Sequence, residues 1–203
     1  MKTRLLSANK IILLFTLYFA LVLNIGFWRN VLVSAPFSNA ANWLLLATMP
    51  LFIVATMNIC LQILFWPKFN RVLFPLILIL AAGASYAVMT QGIYFNADQI
   101  QNILQTNQTE AGAWISVKFI SWLLFTGILP ALLYILFIRV EPKNRWWQGW
   151  LWRLASVAVS LGVILAIAAT SYQSYASFFR NNKGVAHQII PINFIAASFK
   201  TAY

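Results

Sequence analysis

The fold class predicted for this chain is an all-α membrane protein with five transmembrane helices, and three observations predict it. Of 203 residues, 62% are hydrophobic, while only 14 are basic and 3 acidic. A soluble domain is about a quarter charged, so this chain cannot clothe itself in a water-compatible surface. Second, five stretches of roughly 20 residues, the length that crosses hydrocarbon, are nearly or wholly free of charge. Third, the basic residues fall unevenly on the connections between those stretches, as they do in membrane proteins of fixed orientation.

The predicted spans are Ile11–Trp28, Trp43–Trp66, Val72–Thr90, Phe119–Ile138 and Leu154–Thr170. Their apolar runs are continuous rather than alternating, which favours helices over barrel strands. The first run follows Lys2, Arg4 and Lys10 but is long for a signal peptide, and no small-x-small site follows its core directly. With the N-terminus cytoplasmic, nine basic residues lie inside: Lys2, Arg4, Lys10, Lys68, Arg71, Arg139, Lys143, Arg145 and Arg153. Five lie outside: Arg29, Lys118, Arg180, Lys183 and Lys200. The odd span count then puts the C-terminus outside. The run from Arg145 to Arg153, with its four tryptophans, suits a helix lying at the inner interface.

Within the spans, Pro50 and Pro130 remove backbone donors and predict kinks in the second and fourth. Asn58 and Gln62, one turn apart, suit either a polar substrate contact or, preferably, hydrogen bonds to a neighbouring helix, and Asn24 is treated alike. There is no internal repeat and no charge deep in a span, which weighs against a transporter or channel. A structural membrane subunit is the other alternative. The net charge of +11 reflects orientation in the membrane rather than nucleic-acid binding.

The scarce chemistry is also informative. The acids are Asp98, Glu110 and Glu141, with one histidine, His187, and one cysteine, Cys60. So few groups, so far apart, make a self-contained metal site or carboxylate pair improbable and exclude an intrachain disulfide.

Two outer segments are unlike plain loops. Between the third and fourth spans, residues 98–106 read as a short amphipathic helix. Ile100, Ile103 and Leu104 share one face; Asp98, Asn102 and Thr106 form a polar row that Glu110 continues. Asp98 also suits a helix N-terminus, Asn107 to Glu110 has capping-box spacing, and Asn107-Gln108-Thr109 is a weak glycosylation sequon. After the fifth span, residues 171–203 form an interfacial segment. Tyr172, Tyr175, Phe178 and Phe179 have helical spacing, and Arg180 and Lys183 follow as candidate contacts for lipid phosphate. His187 reads as a polar interfacial residue. Ile189, Ile190, Ile192, Phe194 and Ile195 are too apolar for a free linker, so the tail is expected to rest on the membrane or another domain.

These segments carry a resemblance. Asn102, Thr106, Glu110 and Ala111 fit the Asn-x-x-x-Thr-x-x-x-Glu-Ala run of the lipid A phosphoethanolamine transferases, the polymyxin- and colistin-resistance enzymes of Gram-negative inner membranes. Tyr175 to Lys183, followed by Pro191 and Asn193, is similar to the segment closing their membrane domain. The resemblance implies a five-helix N-terminal domain over residues 1–170, followed by a larger periplasmic domain with zinc and a threonine nucleophile. That domain would take phosphoethanolamine from phosphatidylethanolamine and pass it to lipid A. It implies that Asn102, Thr106 and Glu110 hold the ethanolamine headgroup, a carboxylate suiting an ammonium and an amide and hydroxyl suiting phosphate or ester oxygens. It also implies that catalytic residues and zinc lie in a part of the parent protein beyond this chain. Where family members often carry an acid this chain has Asn96, so no contact is carried over to that position.

Overall fold

The computed structural model describes residues 3–35, 39, 42–93, 95, 101, 115–142 and 146–201. Among them the chain is mostly helical. A short strand β1 (Arg4–Leu6) leads into α1 (Ala8–Tyr18), a π-helical segment Phe19–Leu23, and α2 (Ile25–Ser34). Then follow α3 (Trp43–Leu64), α4 (Asn70–Gln91), α5 (Val117–Leu123), a second π segment Leu124–Ile128, and α6 (Leu129–Phe137). Strand β2 (Ile138–Val140), α7 (Trp146–Asn181), α8 (Lys183–Ala186) and α9 (Ile192–Thr201) complete the order. Four helical runs are individually long and apolar enough to cross a membrane, and the bent α1–α2 pair makes five if it counts as one span.

The helices pack antiparallel in sequence order, so two ends can be named: a proximal end, holding Ala8, Leu64, Asn70 and Trp146, and a distal end. Half of the apolar window of α4 and 44% of that of α3 are buried, against 17% for the α5–α6 run and for α7. The first two therefore sit at the centre, and the others present most of their surface to lipid. An aromatic cluster ties the centre together: Phe15 lies 4.8 Å from Phe74 and 5.0 Å from Tyr134, and Phe65 lies 5.5 Å from Phe74. Small residues allow the closest approaches, as expected where helix association depends on packing rather than on exclusion of water. A Cβ on Gly26 would stand 2.9 Å from a Val88 methyl, and one on Gly127 3.0 Å from the Ala82 methyl.

Three features depart from the sequence expectation. The first span is not one straight helix: α1 with its π segment meets α2 at 56°, around Asn24. The tryptophan-rich run is not a separate interfacial helix but the first turns of α7, which runs unbroken for 36 residues. At 1.5 Å per residue that is about 54 Å, well beyond the roughly 30 Å of hydrocarbon. Arg153 had ended the apolar run in the sequence. In the fold its guanidinium donates from Nε to the Gln62 side-chain oxygen at 3.1 Å and from Nη2 to the Gln62 carbonyl, so the helix carries it without interruption. Third, β1 and β2 form a parallel pair, Arg4 opposite Ile138 and Leu6 opposite Val140, which no helical reading anticipates.

Pro50 and Pro75 lie inside α3 and α4 without ending either helix. Pro130 shows how a lost donor is made good. It cannot donate to the carbonyl four residues earlier, and the Tyr18 hydroxyl from α1 donates to that Thr126 carbonyl instead, at 2.8 Å.

Candidate functional site

The polar groups of the spans resolve into structure first. Asn58 donates to the Ser156 and Ser160 hydroxyls of α7, each at 2.9 Å. Gln62 donates to Asn9 at 3.2 Å and receives Arg153, whose guanidinium also lies 4.7 Å from the Trp150 ring centroid. These amides staple α3 to α7 and α1, as the helix-to-helix reading expects.

Asn24 behaves differently. At the α1–α2 elbow its amide nitrogen donates to the Phe19 carbonyl at 2.8 Å, covering an acceptor loosened by the π segment. The same amide pairs at two points with the tail: it donates to the Ile190 carbonyl at 2.7 Å and accepts from the Ile190 N–H at 2.9 Å. Asn30, two turns on, donates to the Gln188 side chain at 2.8 Å. The tail thus lies neither free nor merely on the membrane; it folds back onto the elbow of its own bundle. It also reaches the residues after α4. The Phe95 N–H donates to the His187 carbonyl at 3.2 Å, and the Phe95 and Phe194 rings meet edge to face at 5.6 Å. Gly92, in the left-handed region at φ 63°, makes the turn that sends the chain from α4 towards this contact.

Asn102, Thr106 and Glu110, with Asp98, lie outside the described residues, as does the predicted amphipathic helix apart from Gln101. What is described are the edges of their segment: Phe95 docked on the tail, and Ser116, which caps α5 by accepting from the Phe119 N–H. Arg180 and Lys183 are exposed at the distal end, either side of Asn181 and Asn182. Those two asparagines, with Ser34, Asn42, Ser174 and Ser177, line a polar cavity of about 230 Å³ between α2, α3 and α7. Its amides and hydroxyls can both donate to phosphate oxygens and accept from an ammonium. Neither cation lines it, and the sequence reading had not singled it out. The only signal was a cluster of serines and asparagines around the aromatic positions of residues 171–182. His187 is exposed, Cys60 half-buried in α3, and Glu141 exposed near the proximal end. No three His, Cys, Asp or Glu side chains among the described residues gather as a metal site would require.

Comparison with known proteins identifies the lineage. The family model for phosphoethanolamine transferase EptA/EptB matches residues 53–203. The chain belongs to this phosphoethanolamine transferase family. Among relatives, phosphoethanolamine transferase EptA of Escherichia coli (strain K12) is 35% identical over 188 residues, 93% of this chain and 34% of that protein. Phosphatidylethanolamine transferase Mcr-1 of Escherichia coli is 35% identical over 117 residues, 58% of this chain and 21% of that protein. The structure of the integral membrane lipooligosaccharide phosphoethanolamine transferase A from Neisseria meningitidis superposes with a TM-score of 0.91 at 38% identity. It matches 98% of this chain and 37% of its own. This member of the transferase family is therefore an integral, multi-pass membrane protein. It spans about a third of the length of the curated relatives it matches.

Proposed function

We propose that this chain is the membrane domain of an enzyme that moves phosphoethanolamine from phosphatidylethanolamine to a phosphate of lipid A, and so confers resistance to polymyxin and colistin. The observation that carries the reading is the likeness to the meningococcal transferase across 98% of the chain, docked tail included. In this reading the chain crosses the Gram-negative inner membrane five times, with the bent α1–α2 pair as the first span. Its N-terminus is cytoplasmic and its tail periplasmic, which puts the distal end at the periplasmic headgroups.

The tail then has a clear task. It leaves α7 beside Arg180 and Lys183, is gripped by Asn24, and meets Phe95 at the start of the segment holding Asn102, Thr106 and Glu110. A catalytic domain continuing from this tail would be held over that segment. Asn102 and Thr106 would take the donor's phosphate or ester oxygens and Glu110 its ammonium, while Arg180 and Lys183 would pair with lipid phosphates. Zinc and the threonine nucleophile would belong to that catalytic domain.

The test is Glu110→Ala in the full-length parent, expressed in a polymyxin-sensitive host. Expected is a fall in the colistin concentration tolerated at unchanged protein level in the membrane. Tolerance equal to wild type would remove Glu110 from the headgroup site. Absence of phosphoethanolamine-modified lipid A from cells expressing the wild-type parent would overturn the reading altogether.

A further inference from the structure

At the proximal half of the bundle, away from the headgroup end, α1 and α6 enclose a cleft of about 450 Å³, within the roughly 300–1,000 Å³ typical of small-ligand sites. Leu14, Phe15 and Tyr18 form one wall, and Pro130, Leu133 and Phe137 the other. The hydroxyls of Tyr18 and of Tyr134, which also lines the cleft, are already spent on the Thr126 carbonyl and the Asn70 side chain. What the walls offer is therefore ring and aliphatic surface. Leu14 is 51% and Leu133 48% exposed, so the cleft opens on the lipid-facing flank.

Arg4 is the one charged residue in the lining. The pairing of β1 with β2 sets it opposite Ile138, itself part of the wall, and so holds it at the cleft's end. Among the described residues its guanidinium makes neither a hydrogen bond nor an ion pair. A free guanidinium at the end of an apolar slot open to hydrocarbon matches one kind of molecule: a chain-bearing amphiphile with a phosphate head. The planar fork suits phosphate oxygens bidentately. The surrounding charge favours a net negative head over a zwitterionic one. Lys10, Arg71 and Arg139 share this end of the molecule, and Glu141 is the only acid among the described residues.

We infer that this cleft binds an anionic phospholipid, one acyl chain lying between α1 and α6 and the phosphate on Arg4. The site is separate from the proposed transferase site and does not depend on that reading. It is tested with the chain reconstituted in nanodiscs of equal parts phosphatidylglycerol and phosphatidylcholine, retained lipids being counted by native mass spectrometry after release. Wild type is expected to retain phosphatidylglycerol in preference. Arg4→Gln should lower that retention about fivefold, the fold-change for about 1 kcal/mol lost at one basic contact, whereas Lys68→Gln, outside the cleft's lining, should change it by no more than about twofold. Leu133→Trp, which fills the slot, should exclude the lipid, with its unfolding midpoint in detergent checking that the bundle is intact. If that variant does not fold, the Arg4→Gln and Lys68→Gln pair decides. Equal losses in those two variants, or equal retention of both lipids by wild type, would overturn the inference.

Discussion

At the scale of single residues, the spans hold few amides, and Asn24, Asn58, Gln62 and Asn70 are each hydrogen-bonded. Asn24 reaches furthest along the chain. Its amide satisfies the Phe19 carbonyl at the elbow and both backbone groups of Ile190 in the tail, and it is only 1% exposed. Asn24→Ala would leave up to three backbone groups short of a partner, each costing about 1–3 kcal/mol when buried. We expect the unfolding midpoint in detergent to fall by several degrees, together with faster proteolysis of residues 182–201. Asn30→Ala, which loses one bond at a half-buried site, should lower it much less. A tail equally protected in Asn24→Ala and wild type would remove the clamp. In the sequence Asn24 is legible only as a lone amide in an apolar run, because the partner is backbone 166 residues away.

At the scale of elements, close approach rather than hydrophobicity decides which substitutions matter. A Cβ on Gly26 would meet a Val88 methyl at 2.9 Å and Met89 backbone atoms at 3.2 Å, and backbone cannot rotate out of the way. Gly26→Ala should push α2 from α4 and cost about 1–3 kcal/mol, as overpacking does. Gly162, in the middle of α7, has nothing within 4 Å of its missing Cβ. Gly162→Ala should therefore leave the midpoint unchanged or raise it, helix propensity favouring alanine by about 0.5–1 kcal/mol. Thermal unfolding of both variants separates the two cases, and the same sign of change in both would contradict this packing. Helix α7 also shows why element ends were harder to read than element centres. Its apolar run stops at Arg153, yet the helix begins seven residues earlier, because Gln62 accepts the guanidinium that hydropathy counts as a barrier.

For the whole molecule, the asymmetry of basic residues and the proposed function predict one orientation. In a Cys60→Ser background, Lys183→Cys should react with a membrane-impermeant maleimide once the outer membrane is opened. Lys68→Cys should react only after the inner membrane is disrupted. The reverse pattern would invert the topology and with it the assignment of the distal end to the periplasm. The candidate site was legible to an unequal degree. Asn102, Thr106 and Glu110 stand out through their four-residue spacing beside charge-free spans, and Arg180 and Lys183 through the aromatic run before them. The cavity lined by Asn42, Ser174 and Asn181 joins residues more than 130 positions apart, and spacing along a chain does not carry such a relation.

By itself the sequence determined the class of molecule, the approximate centres of its five apolar segments and the family it resembles. These rest on local composition, on span length against bilayer thickness and on short motifs, all readable without knowing which helix touches which. Only the tertiary structure decided the elbow at Asn24, the continuity of α7 through Arg153, the tail's return to the bundle and the parallel pair that sets Arg4 over its cleft. Each of these depends on a partner distant in sequence taking up a donor, an acceptor or a charge. In a medium without water, such partners decide where a helix can bend, where it can carry a cation and where an extended segment can lie.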